Sequence, residues 1–354
     1  MGEDRDIGEA LCAQVIEAAQ QRKPLCPRGG DTKAFYGEAI SAETLDLAPH
    51  RGIVQYQPTE LVITARAGTP LRLIEAALIE HRQMLPFEPP HFGEHATLGG
   101  AIACGLSGPR RPWQGGARDL VLGTRMINGK GEHLRFGGEV MKNVAGYDVS
   151  RLLTGSLGTL GAITEVSLKV LPAPEQELTL VQQAEPLTAL QRFRNWRAQP
   201  LPLSGLACLD DRLYVRLSGT EAGVASARER LGGELLDAPF WDDLREQQLA
   251  FFQADPEVPL WRISVPPATP VLEDVGETLV DWAGALRWVR SDAPGQTIRE
   301  LAESHGGHAT CFRGDCAAGR FHPLPETQLA LHRRIKQALD PHGIFSPGRM
   351  YRSL

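Results

Sequence analysis

No apolar run in the chain approaches the roughly 18 consecutive residues needed to cross a bilayer, which argues against a transmembrane segment. The amino terminus, Met1-Gly2-Glu3-Asp4-Arg5-Asp6, is acidic and lacks the basic start and apolar stretch of an export signal. Lysine and arginine form no basic stripe and the net charge is −6, so nucleic acid is not an expected partner. Cysteine is sparse. The six residues, at positions 12, 26, 104, 208, 311 and 316, are scattered as in a reduced, cytosolic protein. Only Cys311 and Cys316 lie near each other, and without a second pair they do not make a zinc or iron–sulfur pattern. Two nucleotide signatures are also missing: the strand–Gly-x-Gly-x-x-Gly–helix fingerprint and the P-loop.

What the chain does contain is the composition of a globular protein. Hydrophobic residues make up 42% and charged residues 23%, and 354 residues fit two domains or one large domain with an insertion. Glycine (37) and proline (26) are plentiful enough to imply many loops but not disorder.

The first half alternates helix and strand signals. Ile7, Leu11 and Val15 recur at helical spacing, and Pro24-Leu25-Cys26 reads as a short strand entering a glycine turn. Residues 60–66 read as a strand. Thr69 is placed to cap a helix that has Pro70 in its first turn and Leu71, Ile74 and Leu78 on one face. Residues 121–127 and 133–136 flank Asn128-Gly129-Lys130-Gly131, a hairpin signal. Residues 163–170 alternate as a strand, and Pro172 and Pro174 mark a boundary.

Beyond it, strands are expected at 178–181, 206–209, 213–217, 260–265, 285–289 and 308–312. Helices are expected at 187–196, 221–231, 271–280, 297–304 and, last, 326–339. Strand–helix–strand–strand–helix–strand order suggests an antiparallel sheet with helices on one face. No fixed-period sequence repeat is evident.

Four glycine loops carry the functional signal. In Pro27-Arg28-Gly29-Gly30-Asp31-Thr32-Lys33, consecutive glycines let backbone N–H groups converge on one point and form an anion nest suited to a diphosphate. The second loop, Ala96-Thr97-Leu98-Gly99-Gly100 running to Gly105 and Gly108, lets backbone lie flat on a ligand. The third is Gly115-Gly116-Ala117-Arg118-Asp119. The fourth is Gly155-Ser156-Leu157-Gly158-Thr159-Leu160-Gly161-Ala162-Ile163-Thr164.

The order and spacing of these loops resemble the FAD-binding domain of the vanillyl-alcohol oxidase/p-cresol methylhydroxylase superfamily. The closing stretch, Asp340-Pro341 with Ile344-Phe345-Ser346-Pro347-Gly348-Arg349-Met350, does so too. Within that superfamily, the fourth loop with Lys142-Asn143-Val144-Ala145-Gly146-Tyr147-Asp148, Arg151-Leu152 and Gly108-Pro109-Arg110-Arg111-Pro112-Trp113 looks like the E subunits of bacterial glycolate oxidases. The resemblance implies an α+β architecture with three parts: a two-lobed FAD-binding domain over 1–174, an α/β cap of antiparallel sheet and helices over 175–322, and a C-terminal helix and tail over 323–354 that return to the first domain.

It further implies that Arg28, Gly29, Gly30, Asp31 and Thr32 cradle the FAD pyrophosphate and that Thr97, Leu98, Gly99 and Gly100 close over it. Gly108, Gly115 and Arg118 would lie along the cofactor, and Gly158, Thr159 and Gly161 would approach the flavin or its ribityl chain. Ile163 would pack near the adenine.

The chain departs from the covalent members of the superfamily. Asp31 stands where a flavin-linking His would be, and Cys104 reads as a small buried side chain, so FAD is expected to be non-covalent. Related D-2-hydroxyacid dehydrogenases place His and Glu residues around a metal; here only His305-Gly306-Gly307-His308 is present, at a helix end, and it reads as local structure. No metal site and no catalytic set is legible, although Arg262, Arg287 and Arg313 are available to hold a carboxylate.

The implied function is therefore an FAD-bearing subunit that oxidises glycolate, a 2-hydroxy acid, within a complex. A paralogous D subunit and an iron–sulfur F subunit would be its partners. Its expected location is the cytoplasm, or the periphery of the inner membrane through those partners. Two alternatives stay open: a stand-alone alcohol or 2-hydroxy acid dehydrogenase, and a structural flavin holder without turnover.

Overall fold

The structure, a computed structural model, describes residues 4–138 and 148–354. Residues 142–147 of the motif quoted above lie outside that range. The chain divides into two compact units. One comprises residues 1–107, 115–172 and 323–354, and the other 108–114 and 173–322. Residues 108–114, expected in the first domain, pack with the second unit. Trp113 lies against that unit's core and the indole Nε1 of Trp282 donates to the Gly108 carbonyl at 3.0 Å.

The first unit is built on a five-stranded antiparallel sheet ordered Ile53–Gln57, Val62–Arg66, Ala162–Lys169, Val121–Ile127, His133–Gly137. The alternation expected over 163–170 gives way to burial at nearly every position of the central strand Ala162–Lys169, because it has a neighbour on each edge and covered faces. Its polar members are paired in place, Thr64 Oγ1 meeting Ser167 Oγ at 2.8 Å. The 121–137 hairpin forms as expected. Asn128 Oδ1 accepts from the backbone N–H of Lys130 and of Glu132, each at 3.0 Å, which closes the turn.

The helix Leu71–Glu80 buries Leu71, Ile74 and Leu78, but Thr69 does not cap it. The Thr69 hydroxyl instead accepts from Gly52 N (2.9 Å) and donates to Gly52 O (3.1 Å), and Ala96 O receives the Leu71 N–H at 2.9 Å. A tertiary partner has replaced the local cap. Outside the sheet, the parallel pair Leu25–Arg28 and Glu43–Asp46 carries the chain into the first glycine loop. The long helix Gly8–Gln21 packs Leu11, Val15 and Ala18 with Leu25, Leu45 and Phe345.

The second unit is a fully antiparallel eight-stranded sheet. Its order is Glu234–Leu235, Gln176–Gln183, Arg212–Gly219, Leu203–Leu209, Glu277–Asp281, Leu286–Arg290, Leu260–Ser264, His308–Arg313. The two groups of four strands meet edge to edge at Cys208 and Val280. In the first group, the helices Pro186–Arg197 and Glu221–Leu231 stand between the strands in sequence and cover the core around Leu206 and Val215. In the second group the helix Gly295–Ser304 packs on the core around Ile263 and Val289.

The helix expected near 271–280 is absent. Its last residues form the strand Glu277–Asp281, and the preceding stretch is irregular. Asp274 (φ 57°) and Gly276 (φ 108°) adopt left-handed conformations that a right-handed helix cannot contain. Leu272 and Val275 are still buried in one cluster with Trp261 and Ile263, so the apolar residues fill the core without helical backbone.

Candidate functional site

Three of the four glycine loops, the first, second and fourth, face one another across a cleft in the first unit that encloses about 830 Å³ of empty space, its open mouth included. The strand Leu25–Arg28 delivers the first loop. Gly30 can come this close to the 91–95 segment only because it has no side chain; a β-carbon there would run into the His95 carbonyl. Thr32 Oγ1 (2.7 Å) and Lys33 Nζ (3.1 Å) both donate to His91 O, fixing the loop on that segment. From the second loop, the helix Leu98–Cys104 begins at Thr97, whose Oγ1 accepts the Gly100 N–H at 3.3 Å. The fourth loop enters through Leu157, Gly158 and Gly161, and Ile163 follows on the central strand. Gly158 needs the left-handed region, with φ 72°.

Of the residues named from the sequence, the cleft gathers Arg28, Gly29, Gly30, Asp31, Thr32, Thr97, Gly99, Gly100, Gly158, Gly161 and Ile163. Five others do not line it. Leu98 is buried in the main core, and Thr159 is buried within the fourth loop, its hydroxyl donating to Ser156 O at 2.7 Å. Gly115 and Arg118 sit at a short helix, Ala117–Leu120, whose Gly116 N–H is taken by Asp119 Oδ2 at 2.9 Å. Gly108 belongs to the second unit. Sequence reasoning missed lining residues of two kinds. Arg349 lies in the closing motif, which singles out no role for it, whereas Leu47 and Ala67 are ordinary apolar residues with no signal.

The cleft's chemistry suits an elongated anion. Arg28, Lys33 and Arg349 supply positive charge, and Asp31 is the one acid among the described residues that line it. Asp31 pairs with Arg28, its Oδ2 lying 2.7 Å from Nη1. Two buried polar atoms beside the cleft, Arg28 Nε and Ser346 Oγ, lack a hydrogen-bond partner, as expected where a polar ligand completes a site. Cys104 also lines the cleft. Burial pushes its thiol up to about 11, so it is protonated near neutral pH and a poor nucleophile.

In the second unit, described by itself, the three arginines offered for a carboxylate differ. Arg287 is fully buried and spends its guanidinium on Gly284 O and Thr269 O, while burial lowers its pKa to about 10. It is a structural strut. Arg262 stacks on Trp282 at 4.9 Å from the ring centre, and Arg111 lies 4.3 Å from the centre of the same ring. Burial lowers the pKa of Arg313. His305 Nδ1 lies 3.0 Å from Leu301 O at its helix end, and His308 faces His322, which pairs with Glu303 at 2.9 Å. Among the described residues, no three His, Cys, Asp or Glu side chains gather as a metal-ligand set.

Comparison with known proteins identifies the family. A family profile described as "FAD binding domain" matches residues 9–137, and one described as "FAD linked oxidases, C-terminal domain" matches residues 297–350. The glycolate oxidase subunit GlcE of Escherichia coli (strain K12) is 54% identical over 350 residues, spanning 99% of both chains. The glycolate oxidase subunit GlcD of Bacillus subtilis (strain 168) is 33% identical over 174 residues, which are 48% of this chain and 37% of that one. D-2-hydroxyglutarate dehydrogenase of Xanthomonas citri pv. viticola is 30% identical over 61% of this chain and 47% of its own. Alkyldihydroxyacetonephosphate synthase shares the fold, with a TM-score of 0.67 at 16% identity, covering 96% of this chain and 74% of that one. The FAD-binding architecture expected from the glycine loops is therefore borne out, with FAD as the cofactor. The chain belongs to the FAD-linked oxidases and, within them, to the family of the glycolate oxidase subunit GlcE.

Proposed function

We propose that this chain is the FAD-binding subunit of a glycolate oxidase complex, oxidising glycolate to glyoxylate and passing electrons to a partner subunit or respiratory acceptor. One observation carries the reading: 54% identity to GlcE runs through both structural units, whereas the GlcD and hydroxyglutarate dehydrogenase relatives align over only 48% and 61% of the chain. A paralogous flavin-binding D subunit and an iron–sulfur F subunit complete the complex in this reading. The assembly is cytoplasmic or attached peripherally to the inner membrane through those partners; among the described residues, no helix is long and apolar enough to cross a membrane.

FAD, when bound, supplies the acceptor for the hydride equivalent leaving the substrate carbon. The chain's own residues bind and orient it. The nest at residues 28–32 would take the diphosphate, with Arg28 and Lys33 balancing its charge. Thr97, Gly99 and Gly100 close over it, with Leu98 packed behind them. Gly158 and Gly161, backed by Thr159, would present bare backbone to the ribityl and flavin portion, and Ile163 would pack against the adenine. Gly108, Gly115 and Arg118 keep only the role that the resemblance implies. FAD is held without a covalent bond in this reading, since Asp31, paired with Arg28, stands where a flavin-linking His would be.

Purification with and without co-expressed partners tests the proposal. Glycolate oxidation by the complex, lost when flavin cannot bind this chain, supports it. Full complex activity after that loss would reduce the chain to a flavin holder.

A further inference from the structure

We infer that the C-terminal stretch 336–349 is a strap holding the two walls of the FAD cleft in register, with Lys336 and Arg349 as positioning residues for the cofactor; the inference rests on the FAD reading of that cleft. Lys336 lies in the last turn of the helix Glu326–Leu339 and is that helix's one buried residue. Its ammonium group has three protons and three acceptors: Thr159 O at 2.7 Å, Asp340 Oδ2 at 2.8 Å and Phe345 O at 2.6 Å. Asp340, fully buried, accepts the backbone N–H of Ile344 (3.1 Å) and of Phe345 (2.8 Å). The ion pair therefore folds the tail back on itself and ties it to the fourth loop, one residue from Gly158.

The same tail also holds the first loop. Leu25 N donates to Ile344 O (2.7 Å) and Ser346 N to Leu25 O (2.8 Å), so residues 344–346 run beside the strand that feeds the diphosphate nest. Arg349 then grips the far side of that loop. Its Nη1 donates to Glu38 O (2.7 Å), and its Nη2 to Ala34 O (2.6 Å) and Tyr36 O (2.9 Å). A β-carbon on Gly158 would lie 3.5 Å from the Ser346 hydroxyl, so the tail and the fourth loop almost touch at the cleft.

Stability alone is a poor reason for this chemistry. A buried ion pair is costly to desolvate, and apolar side chains of similar volume serve packing at least as well. What directed cation-to-carbonyl bonds add is geometry: three backbone carbonyls around Arg349 and two around Lys336 are fixed in position, on both sides of one cleft.

The test is FAD titration of the apo-protein by flavin fluorescence, with the thermal midpoint recorded for each protein. Wild type is compared with Lys336→Met, Arg349→Gln and a control, Leu78→Ala, a fully buried core residue that does not line the cleft. The strap predicts FAD affinity weakened at least about tenfold in both tail variants, within the usual range of coupling between sites. Leu78→Ala should lower the midpoint yet keep its FAD affinity within about twofold of wild type, since an independent site does not couple. If Lys336→Met does not fold, Arg349→Lys, which keeps the cleft's charge but cannot reach three carbonyls at once, decides in its place. Wild-type affinity in either folded tail variant overturns the strap, as does an FAD affinity that simply tracks the thermal midpoint through all three variants. Wild type failing to bind FAD would overturn the cofactor reading itself.

Discussion

Gly30 and Gly158 serve the same cleft for different physical reasons. At Gly30 the constraint is space, because the His95 carbonyl occupies the place of a β-carbon and backbone cannot swing aside. At Gly158 it is conformation: φ 72° is strained for any β-branched side chain, at about 1–2 kcal/mol or more. Gly30→Ala and Gly158→Val should each raise the FAD dissociation constant at least about tenfold, a loss of ~1.4 kcal/mol. His308→Ala, in the second unit, should leave it unchanged; fluorescence titration distinguishes the three.

A pH effect also belongs at this scale. Burial holds the pKa values of His50 and His133 below the ordinary 6.5, and His50 Nδ1 accepts the Ile7 N–H at 3.1 Å, which requires that nitrogen unprotonated. The unfolded chain then binds more protons than the folded one as pH falls below about 6.5, so stability drops there and is complete above it. Thermal midpoints measured between about pH 7 and pH 5 should fall, and His50→Asn, which keeps an acceptor without the titration, should flatten part of that slope. An identical slope in the variant would remove His50 as its source.

At the scale of elements, the turn between Leu203–Leu209 and Arg212–Gly219 shows how sequence and backbone can disagree at small cost. Asp210 (φ 50°) and Asp211 (φ 56°) both sit in the left-handed region, the geometry of the two-residue hairpin turn that an Asn-Gly pair fits best. The double substitution Asp210→Asn with Asp211→Gly should stabilise the second unit by about 0.5–1 kcal/mol. Calorimetry should register this as a rise of ~1–4 °C in the midpoint, and an unchanged or lower value would refute it.

The 266–276 stretch is the opposite lesson. Apolar residues in its second half suggest a helix, but Asp274 and Gly276 bend the backbone and the strand that follows pairs with Leu286–Arg290. Thr69 teaches the same at a single cap. Its hydroxyl is recruited by Gly52, 17 residues away in sequence, a partner that lies outside the helix it was placed to cap.

At the scale of the whole molecule, the cleft proposed for FAD lies in the first unit, and in the second unit several of the histidines and arginines suited to substrate work are tied to local partners: Arg287 to backbone carbonyls, His305 to its own helix and His322 to Glu303. We therefore expect the isolated chain to be yellow, to release intact FAD on acid denaturation, and to oxidise glycolate poorly by itself. Steady-state assays with an artificial dye check the last point. A turnover near the roughly 10 per second typical of enzymes would make it a self-sufficient dehydrogenase.

The sequence by itself determined the family, the cofactor and much of the cleft's inner surface, because those rest on glycines and short motifs whose chemistry is local: a nest, a tight turn, a bare backbone. It also placed most strands and helices, through periodicity and turn residues. Only the tertiary structure decided which loops share one cleft, that Gly108 and its neighbours pack with the second unit, and that Leu98 and Thr159 stand behind the cleft and do not line it. It alone brought Lys336 to the Thr159 carbonyl, 177 residues away, and Arg349 to Ala34, 315 away. Contacts between distant segments depend on how whole elements pack, and no local pattern in the chain encodes that distance.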